Sequence, residues 1–252
     1  MIKLYHTFPG CSGDYHGFVG PNFMMRKIDE GVADANFEDG VGFSHIFPTI
    51  GVTWMLGQCV LEFKELLIPA YEVEIEALPH EQHGIATVRR CVMRREGREI
   101  MRYASKLLPV DFEARKAVPA STLDPFWKSP AAPCGEKIPF LKMPDGMETK
   151  EVYLVKHRDC DTNKHMTAFR YLDLIMETVG YWSGEVHLPE RIQIDFMREC
   201  LPGETLLLQY GEADGIRYCC GIKEDHTESF RASVRFAKEV YPIVPIDEVG
   251  EI

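Results

Sequence analysis

The segment 159–165 (DCDTNKH) sets Asp161, Asn163 and His165 at alternate positions. In an extended chain, side chains two apart point the same way, so a carboxylate, an amide and an imidazole would share one face. Farther along, Glu199 and Cys200 stand just before the turn signal Pro202-Gly203. Three chemistries fit these residue types. In the first, Asp161 and Asn163 cap the following helix and His165 is a core residue. In the second, Cys200 is a nucleophile, His165 its base and Asn163 the group that orients the ring. In the third, water attacks, with Glu199 as general base and Asn163 and His165 positioning water or substrate. Composition and spacing do not separate the last two.

Such groups need elements to hold them. Phe169, Leu172, Met176 and Val179 recur at helical spacing, which predicts an amphipathic helix over 167–180. A polar cluster at the start of that helix gathers side chains and free backbone N–H groups, a place to stabilise a developing oxyanion. An earlier helix is predicted from Pro21, with Met25, Ile28, Val32 and Ala35 at the same spacing and Gly40 and Gly42 at its exit. Alternating apolar runs predict strands at 3–8, 52–61, 71–77, 85–94 and 99–110, and again at 149–155, 191–199, 205–210, 217–222 and 229–238. Each half therefore reads as strand, helix, then several antiparallel strands. Between them, Pro119, Pro125, Pro130, Pro133, Pro139 and Pro144 oppose both helix and ladder. The expected organisation is α+β: a domain over 1–118, a proline-rich linker over 119–146 and a second domain over 147–252, each a long helix on an antiparallel sheet.

Bulk properties narrow the function. A formal charge of −11 over 252 residues argues against nucleic acid. No run is long and apolar enough to span a bilayer, and the N-terminus does not read as a signal peptide. The eight cysteines are scattered without a CxxC pair, so reduced thiols, a cytoplasmic setting and no metal or cofactor are expected. His80-x-x-His83 is read as a surface turn, and Cys219-Cys220 point to opposite faces of a strand. Arg89, Arg90, Arg94, Arg95, Arg98 and Arg102 form the one dense basic run, either a solvated strand face or a docking patch for a phosphate-bearing or acidic partner.

Asp159 to His165, the Tyr171-Leu172 pair in the helix behind it and the downstream Phe196-Met197-Arg198-Glu199-Cys200 together resemble the signature of acyl–acyl carrier protein (acyl-ACP) thioesterases. Asn163 and Glu199 stand at the separation seen in plant and bacterial members. The helix start in the first half, Gly51 to Trp54, residues 98–118 and Phe230 to Phe236 are also similar to the family, so the likeness covers most of the chain. The chain departs at Thr167-Ala168, where members usually carry Asn-Asn.

The resemblance implies two tandem hotdog domains, a catalytic C-terminal half and an N-terminal half that shapes the acyl pocket. Carried over by motif position, Asp161, Asn163, His165 and Glu199 form the catalytic group. The preferred mechanism is water activated by Glu199 over nucleophilic Cys200, with Asp161 orienting. Phe23, Met24, Met25 and Ile28 are candidates to line the acyl pocket, and Arg90 and Arg94 to dock the carrier. The implied activity is hydrolysis of fatty acyl-ACP to free fatty acid, with acyl carrier protein as partner and a homodimer left open. An acyl-CoA thioesterase on the same fold and a non-catalytic acyl-thioester-binding module are the alternatives.

Overall fold

The computed structural model describes residues 2–133, 137–161 and 163–243. The chain divides into two compact units, neither contiguous in sequence. The first comprises Met1–Thr7, Arg26–Val60 and Glu72–Ile138, the second Phe8–Met25, Leu61–Tyr71 and Pro139–Ile252.

The first unit draws on β1 (Ile2–Thr7), α1 (Pro21–Glu38), α2 (Phe43–Ile50), β2 (Val52–Phe63), β3 (Glu72–Ala77), β4 (Glu81–His83), β5 (Ala86–Arg95), β6 (Arg98–Asp111) and β7 (Lys116–Ala117). Its sheet runs β1-β3-β5-β6-β2, with β4 on β5 and β7 on β6. The α1 stripe is as expected: Met25, Ile28, Val32 and Ala35 are all buried. Burial of each larger side chain contributes about 1.5–3 kcal/mol. Gly31 lets the helix sit close on the sheet, since a Cβ there would lie 3.0 Å from Ile75 Cγ2.

Polar residues line this unit too. Buried Tyr103 donates to Asp29 at 3.0 Å. Buried Arg89 pairs with Asp39 at 2.6 Å, and Ser129 donates to the same carboxylate.

Three expectations change here. His80 is buried, not a surface turn residue, because Trp127 stacks on it with ring centroids 3.6 Å apart. The basic run is ion-paired: Arg89 to Asp39, Arg94 to Glu76 and Glu74, Arg102 to Glu99. In the proline-rich stretch, Ala120 and Leu123 are buried, and Leu123 joins Val41, Ile46 and Val52 in a cluster flanked by Trp54, Phe126 and Trp127.

The second unit contains β8 (Glu148–Leu154), α3 (Ala168–Thr178), β9 (Val186–His187), β10 (Arg191–Phe196), β11 (Thr205–Ala213), β12 (Ile216–Lys223), β13 (Glu228–Arg235) and β14 (Val240–Tyr241). Its sheet runs β10-β13-β12-β11-β8 with antiparallel neighbours, and β9 pairs separately with β14. Helix α3 lies against β11 and β12. Its buried face is broader than the expected stripe, adding Tyr171, Leu174 and Ile175 to Leu172, Met176 and Val179, while Phe169 is only half-buried. Gly221 on β12 makes room for the ring of Phe230 opposite; a Cβ there would fall 2.4 Å from that ring. Phe230 in turn meets the Tyr171 ring edge-on at 5.3 Å.

Candidate active site

The site is built from the loop ahead of α3 outward. Asp159 is fully buried and anchors that loop. Its carboxylate accepts from Tyr153 Oη at 2.7 Å, the Lys156 N–H at 2.8 Å and Arg170 Nε at 3.2 Å. Burial by itself would raise this carboxyl, but the Lys156 amide, the Tyr153 hydroxyl and the Arg170 guanidinium outweigh it and hold the group below the ordinary carboxylate range. Arg170 also reaches Asp173 at 2.7 Å, which fixes the loop to the first turn of the helix. The Asp159 carbonyl accepts from the Thr167 N–H at 2.9 Å, so both ends of the loop meet at one residue.

Between those ends the chain turns tightly. Cys160 and Met166 form an isolated antiparallel bridge. The Asp161 carboxylate accepts the Asn163 N–H at 2.8 Å, and the Lys164 N–H donates to the Asp161 carbonyl at 2.9 Å. Lys164 takes a left-handed conformation, φ 67°, which is uncommon for a residue with a Cβ. The expected extended run with three side chains on one face is therefore a closed turn. Thr162 lies outside the described residues. Asp161 is exposed, whereas Asn163 and His165 are half-buried. Neither Asp161 nor Asn163 caps α3: the N-cap is Thr167, with no side-chain cap. The first amides of the helix are thus left without a capping side chain.

One backbone hydrogen bond joins the two motifs. The Met166 N–H donates to the Cys200 carbonyl at 2.8 Å. His165 and Glu199 each immediately precede one partner of this bond, so it joins the loop to the segment that follows β10. Glu199 is half-buried, and its own carbonyl accepts from Lys223 Nζ at 3.3 Å. Cys200 is fully buried, with Sγ 2.9 Å from Ser229 Oγ, and burial pushes its thiol up. A thiol so placed is a poor source of thiolate.

The remaining candidates lie in other surroundings. Met25 and Ile28 are fully buried in α1, with Met24, while Phe23 is largely exposed. Arg90 is half-buried on β5, and Arg94 is committed to carboxylates on β3. Among the described residues, no three His, Cys, Asp or Glu side chains gather as a metal site would require, and no helix is long and apolar enough to cross a membrane.

Sequence reasoning gave no role to Asp159, Tyr171 or Ser229, although the first two stand in the motifs it singled out. The pairing of Asp159 with Arg170, a basic residue in the next helical turn, was a usable signal. Ser229 carried none, since it begins its strand at a position of polar parity.

Comparisons with known proteins bear on the family and the fold. Residues 143–240 match the family model of the acyl-ACP thioesterase C-terminal domain. The resemblance read from the motifs is thus borne out over the stretch of the chain that holds them. No curated protein matches at a significant level. Among solved structures, an acyl-ACP thioesterase from Bacteroides thetaiotaomicron superposes with a TM-score of 0.79 at 17% identity, covering 93% of this chain and 97% of that one. A putative oleoyl thioesterase from Lactobacillus plantarum gives 0.76 at 17% identity over 94% and 96%. The 12:0-ACP thioesterase from Umbellularia californica gives 0.77 at 14% identity over 94% and 96%. At such identities the likeness is one of fold: the chain has the α+β tandem hotdog architecture of these acyl-ACP thioesterase structures.

Proposed function

We propose that this chain hydrolyses the thioester of fatty acyl–acyl carrier protein, releasing free fatty acid and the carrier thiol. The observation that carries the reading is the Met166–Cys200 backbone bond, which joins the loop that carries His165 to the segment that carries Glu199. Water attacks the thioester carbonyl while Glu199 takes its proton. The tetrahedral oxyanion is met by backbone N–H groups at the uncapped start of α3, aided by Asn163. Collapse breaks the C–S bond, and the proton passes to the departing thiolate. His165 positions water or substrate. Asp161 orients the turn, a role supported by its acceptance of the Asn163 N–H. Met25 and Ile28 contribute apolar surface for the acyl chain, and Arg90 contributes positive charge for the acidic carrier, whereas Arg94 is already paired with Glu74 and Glu76.

Thiol release from a chain-length panel of acyl-ACP and acyl-CoA substrates tests this directly. Glu199→Gln is expected to lose about 10²- to 10⁴-fold in kcat. Turnover of acyl-CoA alone would replace the carrier-bound substrate, and no turnover of either would end the hydrolytic reading. Charge reversal at Arg90 is expected to raise KM for carrier-bound substrate and spare a short soluble thioester.

A further inference from the structure

Cys200 stands where a nucleophile would be sought, yet its partners are those of a fastener. Its thiol lies 2.9 Å from Ser229 Oγ and within hydrogen-bonding reach of the Tyr171 hydroxyl. Ser229 is fully buried on β13. Its Oγ also sits 3.0 Å from the Arg198 carbonyl and 3.4 Å from Tyr171 Oη. Its own carbonyl accepts the N–H groups of Met197 at 2.8 Å and Arg198 at 3.0 Å. One serine therefore holds the chain on both sides of Glu199, through Arg198 before it and Cys200 after it.

Tyr171 closes the arrangement from α3. Its ring is fixed edge-on between Phe196 at 5.4 Å and Phe230 at 5.3 Å, and its hydroxyl points at the thiol and the serine. One arrangement of protons serves every member. The Ser229 hydroxyl donates to the Arg198 carbonyl and, over a longer distance, to Tyr171 Oη, and its oxygen accepts from the Cys200 thiol. The Cys200 carbonyl meanwhile takes the Met166 N–H. The same cysteine thus ties the Glu199 segment to the helix, to β13 and to the His165 loop.

We infer that Tyr171, Cys200 and Ser229 form a buried hydroxyl–thiol clamp that positions Glu199, with Cys200 one of its three positioning residues. The inference rests on the reading of Glu199 as general base. A half-buried carboxylate in a segment past the end of a strand has several rotamers and a mobile backbone unless both flanks are held, and a displacement of about 1 Å at such a group costs up to about a hundredfold in rate.

The test is steady-state hydrolysis of acyl-ACP by the full-length protein, with thermal denaturation of each variant. Ser229→Ala, Tyr171→Phe and Cys200→Ala are each expected to lower kcat by about tenfold at unchanged KM. Cys200→Ser, whose hydroxyl restores the bond to Ser229, is expected to stay within about threefold of wild type. The double variant Ser229→Ala/Cys200→Ala should be no slower than the worse single, as for members of one unit. Loss of activity in Cys200→Ser with wild-type kcat in Ser229→Ala and Tyr171→Phe would overturn the clamp in favour of a nucleophilic thiol. So would wild-type kcat in Ser229→Ala and Tyr171→Phe when Glu199→Gln is dead. An active Glu199→Gln overturns the general-base reading instead, and the two failures are told apart by that variant.

Discussion

Two carboxyl groups, one in each unit, make the clearest comparison within this molecule. Asp29 on α1 and Asp159 ahead of α3 each accept a hydrogen bond from a tyrosine hydroxyl, Tyr103 and Tyr153 respectively. There the likeness ends. Burial pushes the Asp29 carboxyl up to about 6, and the Tyr103 hydroxyl only partly opposes it. Asp159 has a backbone N–H and a guanidinium besides its tyrosine, and it is held below the ordinary range. The difference is the number and charge of donors. The first unit carries on its helix an acid that holds its proton to about pH 6. The second keeps an ionised one, and hangs from it the turn that carries Asp161, Asn163 and His165.

The largest expected effect comes from breaking the richer of the two networks. Asp159→Ala leaves the Lys156 N–H and the Tyr153 hydroxyl unmet and takes one of two carboxylate partners from Arg170, and should cost about 3 kcal/mol. For a chain of this size that is a drop in Tm of about 10 °C by thermal denaturation, with a loss of kcat besides. A variant that melts lower but turns over normally would break the link between this anchor and the site.

Next in size is pH dependence, and the two groups run in opposite senses. Folded Asp29 keeps its proton to about pH 6, whereas its ordinary value is 3.8. The stability it contributes is complete below pH 4 and lost as pH rises through 6, by up to about 3 kcal/mol. The lowered Asp159 contributes stability that is present above the ordinary carboxylate range and is lost as pH falls through its folded value. Asp29→Asn should therefore flatten the melting profile between pH 4 and pH 7 and raise Tm by a few degrees at pH 8, with hydrolysis unchanged. An unaltered profile would refute the near-neutral assignment.

The smallest effects separate the tyrosines. Tyr153→Phe removes one of several donors and should cost about 1 kcal/mol. Tyr103→Phe removes the one hydroxyl that opposes burial at Asp29, so the midpoint of the pH profile should move upward. Equal shifts in both variants would erase the distinction between the two networks.

Much of this was legible in the chain. The stripe Met25, Ile28, Val32 and Ala35 and the alternating strands announced their faces, because burial periodicity is local information. Helix α2 was not read, being short and interrupted by Pro48, which signals a break. The burial of His80 depends on Trp127, the neutralisation of Arg89 on Asp39, and that of Arg94 on Glu74 and Glu76 of the neighbouring strand β3. No local window contains such partners. At the site, the residue types of Asp161, Asn163, His165 and Glu199 stood out, but the left-handed turn at Lys164 and the bond from Met166 to Cys200 did not. Both are products of tertiary closure, and residue type alone does not encode them.

That last bond also bears on how the protein becomes competent. All of α3 and β10 lie between its two ends, so it closes a long loop and forms late relative to local structure. On refolding, helical and sheet signals return before the His165 turn and the Glu199 strand end are joined. Activity is then a report of completed assembly in the second unit, and it recovers behind the spectroscopic signals.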